Sequence, residues 1–136
     1  MRLTTLITST VITILPLGFL IPEAHIKCDE DIGGVYLEWL DRIYICDTDQ
    51  HTKFYRDHEL GHHFWYKYMD KSQKDKYKIL YKKALKEGTG SFYWEYGMTD
   101  IEEDFAENFA LMLAKKNSPP KLQIRVRYIK KIFEQE

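Results

Sequence analysis

The chain has 136 residues, 44% of them hydrophobic, which is enough for one core and too little for a second domain. Twenty Lys and Arg (20) against 21 Asp and Glu leave a net charge of −1, which argues against general nucleic-acid binding. The positive charge that exists is clustered in residues 67–87 and 115–131, where helical spacing reads most simply as solvated faces.

Residues 3–21 carry no charge, with Arg2 before them and Glu23 the first charge after. That pattern resembles a secretory signal peptide with Ala24 as its cleavage residue, giving a leader over 1–24 and a folded domain over 25–136. The same run could instead stay as an uncleaved membrane anchor, or pack as an apolar core segment. The two cysteines, Cys28 and Cys46, follow the leader without a metal-like CxxC spacing, so export would pair them in one disulfide. Such a bond would stabilise the domain by about 3 kcal/mol. A free thiol pair in a cytosolic chain is the alternative.

Residues 29–34 read as an acidic turn. Residues 35–39 and 42–46 are β-rich runs about Leu40-Asp41 and predict a hairpin. Asp47, Thr48 and Asp49 then offer caps for a helix. That helix carries His58-Glu59-Leu60-Gly61-His62, an HExxH motif. Side chains four apart on a helix stack on one face, so His58 and His62 can reach a single zinc ion, while Glu59 stands beside it free to act as a general base. Phe54, His58, Gly61, His62, Trp65 and Met69 follow the spacing of one inward face, where unpaired imidazoles would be costly. His63 lies about 140° around the helix from His58 and reads as surface or supporting; His25 and His51 read as surface.

A second helix is expected from Ser72, as N-cap, to Glu87, stopped by residues 88–91. An aromatic loop leads to Tyr96, and a third helix starts near Asp100. A catalytic zinc site needs a third protein ligand, and this helix offers Glu103, with Glu107 one turn on to accept a ring N–H from a ligating histidine. Residues 95–107 hold six acidic side chains and no basic one, which favours a cation nearby. Glu102 and Asp104 read as a solvated face. Prolines at 119 and 120 precede a last helix over residues 122–133.

HELGH followed by Tyr96-Gly97 and Glu103-Asp104-Phe105-Ala106-Glu107 resembles the catalytic domain of anthrax lethal factor and the secreted Pro-Pro endopeptidases, gluzincin-type zinc metallopeptidases. The resemblance covers about the last hundred residues. It implies His58, His62 and Glu103 as zinc ligands, Glu59 as base, Glu107 as a supporting group, and Tyr96 as the hydroxyl that steadies the oxyanion. It also suggests residues 42–46 as the edge strand on which an extended substrate pairs. The expected architecture is α+β, a minimal zincin-like domain with a short β-hairpin or sheet packed on about four helices. The expected function is zinc-dependent endopeptidase, secreted or at the cell surface, acting as a monomer on peptides or protein segments, and touching a membrane only if the leader stays. A zinc-stabilised binding module without catalysis, or an intracellular regulatory peptidase, are the competing readings.

Overall fold

A computed structural model describes residues 21–27, 33–46 and 52–135. The expected helix caps at 47–49, His51, Cys28 and the leader up to residue 20 lie outside these. Three strands, β1 (Glu23–Ile26), β2 (Gly34–Leu37) and β3 (Arg42–Cys46), precede four helices, α1 (Thr52–Lys67), α2 (Lys71–Glu87), α3 (Ile101–Ala114) and α4 (Pro120–Phe133). The chain is thus α+β, a small sheet packed on helices.

The hairpin forms where alternation predicts it, with β2 antiparallel to β3 and a turn at Glu38 to Asp41 in which Asp41 takes φ 48°. β1 was not legible as a strand. It pairs in parallel with the other side of β3, Glu23 facing Ile43 and Ile26 facing Cys46. The sheet order is therefore β1-β3-β2, and β3 is central. Ile43 and Ile45 on β3 are fully buried, and Cys46 is disulfide-bonded.

α2 begins two residues earlier than expected because Asp70, not Ser72, caps it. Asp70 accepts from the Gln73 amide while the Gln73 side chain accepts from the Asp70 amide, a reciprocal capping box. Gly88, at φ 90°, ends the helix in a conformation glycine adopts at no steric cost. Two short 3₁₀ turns, Thr89–Ser91 and Glu95–Met98, make up the aromatic loop. Asp100 caps α3, and Pro120 opens α4.

α3 is the central helix, with every residue from Asp104 to Leu111 buried. Its Phe105 and Phe109 pack against Phe64 of α1 at ring-centroid distances of 6.3 and 5.5 Å. Close approach of these helices depends on the fourth residue of HELGH. A Cβ on Gly61 would sit 2.7 Å from the Ala106 Cα and 3.0 Å from the Phe109 Cβ, so only glycine lets α1 lie this near α3.

Candidate metal centre

α1 presents His58 and His62 one turn apart, and the tight packing at Gly61 and Ala106 brings Glu103, in the first turn of α3, across to them. His58 Nε2 lies 3.0 Å and His62 Nε2 3.4 Å from Glu103 Oε2, and the two imidazole nitrogens are 3.2 Å apart. Among the described residues no other group of three or more His, Cys, Asp or Glu side chains converges in this way.

With the Glu103 carboxyl ionised, these three contacts cannot all be hydrogen bonds. Its Oε2 then only accepts, and each imidazole Nε2 carries either one proton or one lone pair, so every placement of protons leaves at least one edge with two donors or two acceptors facing each other. A cation at the centre turns all three atoms into ligands. Donors about 2.0–2.2 Å from a tetrahedral zinc lie roughly 3.3–3.5 Å apart, within a few tenths of an ångström of the observed edges. The donor set fits zinc.

The charges agree. Burial opposes ionisation of Glu103, yet the hydrogen bonds from His58 and His62 overrule it and hold its carboxyl at about 2. For His62, burial works to lower the pKa, but Glu103 and Glu59 outweigh it and the net shift is upward. Glu59 is 6% exposed, and burial raises its pKa against the pull of both histidines and of the Tyr36 amide, which donates to it. A carboxyl raised in this way is a better base than one in water.

These residues floor a cleft of about 610 Å³. Phe54 and Trp94 line it with their rings 5.0 Å apart, and Tyr93 packs 4.8 Å from Trp94. Tyr66 lines it as well, its hydroxyl donating to Glu102. Tyr96 lines the cleft and is 58% exposed. The charge of Glu103, then burial and Glu59, push its pKa up, so at neutral pH it remains a hydrogen-bond donor.

Several expectations change. The edge strand is β2, not residues 42–46, because β1 occupies the far side of β3. Gly33 lies opposite Cys46 and accepts from its amide, so alternate residues Gly34 and Tyr36 direct their backbone groups away from β3, toward the cleft they line. Glu107 lines the cleft but accepts no ring N–H. Both its oxygens are buried without a partner in hydrogen-bond geometry among the described residues, and burial, reinforced by Asp104, opposed by the Trp94 amide and raised further by Glu103, drives its pKa up to about 8. His63 is not at the surface. It is 3% exposed because it faces the sheet, where its Nδ1 lies 2.8 Å from Asp41, which also accepts from the Tyr36 hydroxyl. His25 is exposed.

Asp104 is no solvated acid either. It is 1% exposed and bidentate to Arg125 of α4, at 2.9 and 3.0 Å, with Tyr77 and Asn108 donating to it as well. Arg125 in turn donates to the Ser91 carbonyl and lies 4.9 Å from the Phe92 ring, fastening the aromatic loop to α3. Neither Arg125 nor Gly61 was singled out by its chemistry in the sequence. Arg125 lay within the basic run 115–131 expected to be solvated, yet it is 2% exposed; its place on the stripe of Leu122, Ile129 and Ile132, and a glycine inside a helix, were the available signals.

No protein-family profile matches the chain, and no curated protein or solved structure matches it significantly.

Proposed function

We propose that the protein is a zinc-dependent endopeptidase with His58, His62 and Glu103 as the metal ligands. The observation that carries this reading is the triangle of ligand atoms, whose edges suit a tetrahedral cation and cannot all be satisfied by protons. Bound there, zinc would lower the pKa of a water molecule and polarise a carbonyl.

The chain's own groups supply the rest. Glu59, buried beside both histidines, takes the proton from the attacking water and delivers it to the leaving amine. Tyr96, kept protonated by the carboxylates around it, donates to the oxygen on which charge develops. The outward-facing backbone of Gly34 and the Tyr36 carbonyl, with the Tyr36 amide taken by Glu59, offer an extended peptide a strand to pair with, so recognition would be by β-augmentation. The substrate is then a peptide or an unfolded protein segment, met by the domain as a monomer. The disulfide at Cys46 supports a site of action outside the cytoplasm, secreted or at the cell surface.

Glu59→Gln tests the chemistry separately from the metal. Zinc content by elemental analysis should stay near one ion per chain, while cleavage of a peptide selected from a library by the unmodified protein should fall at least about a hundredfold. Full turnover in this variant, or no zinc in the unmodified protein, would remove the reading.

A further inference from the structure

Glu59 and His63 stand four residues apart on α1, so they share one face of the helix, as His58 and His62 share the neighbouring one. β2 lies against the Glu59 face. A Cβ on Gly34 would sit 3.1 Å from the Glu59 Cγ, and the Tyr36 amide donates to the Glu59 carboxylate. The same tyrosine meets His63 through its side chain, with ring centroids 5.7 Å apart in an edge contact. Its hydroxyl ends on Asp41 Oδ1 at 2.9 Å, and His63 Nδ1 lies 2.8 Å from that same oxygen. A carboxylate oxygen only accepts, so the hydroxyl and the imidazole both donate to it.

Asp41 suits this place by its backbone as well. It closes the hairpin turn, its amide donating to the Glu38 carbonyl at 3.1 Å, with φ 48°, a left-handed conformation that aspartate adopts more readily than most side chains. Lys67, one turn beyond His63 on α1, lies 3.9 Å from Asp41 Oδ2. One carboxylate therefore ties the hairpin turn to α1 at two positions and ties β2 to the same point through Tyr36.

We propose that Asp41 is a positioning residue for the general base: it clasps Tyr36 and His63 so that the Tyr36 amide holds the Glu59 carboxylate in one orientation beside the metal ligands. The role of Glu59 is taken here from the peptidase reading. A glutamate side chain turns about several bonds, and burial alone does not choose among its rotamers. Among the described residues β2 is a four-residue strand paired on one side only, so the clasp sets how far Tyr36 stands from α1. A base displaced by about 1 Å loses on the order of a hundredfold in rate. Zinc and the paired strand stay in place, so substrate affinity is spared.

Three variants separate the clasp from the turn. Asp41→Gly keeps the left-handed turn at no steric cost and deletes the carboxylate, Asp41→Asn keeps an acceptor oxygen in its place, and Glu59→Ala removes the acceptor of the Tyr36 amide. Hydrogen exchange followed by NMR on the full chain, with zinc added, reads the Tyr36 amide, which points away from β3. The Ile43 amide, bonded to the Pro22 carbonyl, reports on the sheet as a whole. Tyr36 should exchange at least about tenfold faster in Asp41→Gly and Glu59→Ala than in the unmodified chain and Asp41→Asn, with Ile43 unchanged. In peptide cleavage Asp41→Gly should lower kcat about ten- to a hundredfold with KM within about twofold, and Asp41→Asn should recover most of the loss. Unaltered Tyr36 exchange in Asp41→Gly, an equal loosening of Ile43, or a deficit confined to KM would overturn the proposal. Should the unmodified chain show no turnover, the peptidase reading falls, and the exchange rates alone decide whether Asp41 holds Glu59.

Discussion

Helix α3 carries two acidic regions that differ in one respect. Toward α2 and α4, Asp104 is buried and fully matched by the Arg125 guanidinium, the Tyr77 hydroxyl and the Asn108 amide. Toward the cleft, Glu103 and Glu107 stand with Glu59 among carboxylates, and among the described residues no lysine or arginine lines that space. A single helix thus holds a closed network and an open one. Buried charge is costly unless it is paired, so the closed network is a scaffold, and the open one is consistent with a site whose missing charge arrives from outside.

The comparison breaks most readily at Arg125. Arg125→Met keeps an apolar stem of similar length but leaves Asp104 buried with its cation gone, which should cost about 3–5 kcal/mol in urea unfolding. Glu103→Gln removes a carboxylate from the open side and should cost far less stability in metal-free protein. Zinc should raise the melting temperature of the unmodified chain, and Glu103→Gln should abolish that rise. Equal destabilisation by the two changes would mean that the two sides of α3 do not differ as described.

Glu107 sharpens the same contrast with the opposite sign. An unfolded glutamate ionises near pH 4.3, whereas burial holds the folded one to about 8. A raised carboxyl contributes stability that is present below the unfolded value and lost as pH rises toward the folded one. The metal-free protein should therefore lose stability between about pH 4.3 and 8 from this group. Glu107→Gln removes the ionisation and should stabilise the metal-free protein by up to about 3–4 kcal/mol at pH 7, flattening its pH dependence over that window. Chemical denaturation at a series of pH values reads both effects, and a loss of stability at pH 7 would show that the carboxyl has a partner in solution.

The difference between the two sides explains what could be read from the sequence. His58, Glu59 and His62 are tied to one another by the helical repeat, and Glu103 to the cleft by the acid-rich turn that contains it, so local spacing sufficed to name them. Asp104 looked identical to Glu102, since the arginine that separates them comes 21 residues later on another helix. The helices were legible because their caps and apolar periods are local; the sheet was less so. Glu23-Ala24-His25-Ile26 has no alternation of its own, and it becomes a strand only because β3 offers an unpaired edge. The resemblance suggested residues 42–46 as an edge, and with β1 on its far side β3 has no free edge for a peptide to pair with. His63 was misjudged by the same omission of context, because the hairpin turn that covers it folds back from residues 38–41.

Tyr96 belongs to the open side and should give the smallest change in stability. Its ring is 58% exposed and its hydroxyl is not a ligand to the triad, so Tyr96→Phe should shift unfolding by no more than about 0.5 kcal/mol and leave zinc content unchanged. The loop that carries it is held elsewhere, through Arg125 to the Ser91 carbonyl and through the close seat of Gly97, where a Cβ would lie 2.9 Å from Glu107 Oε2. Removing one hydroxyl therefore does not move the loop. What is lost is a donor whose hydrogen bond strengthens as negative charge develops on the substrate oxygen, so the deficit should fall on kcat with KM nearly constant, by about a hundredfold for a donor of this kind. A change in KM alone would place Tyr96 among the groups that bind peptide rather than those that stabilise the reacting oxygen. That result would also move the chemical boundary of the open site inward, to Glu59 and the three ligands.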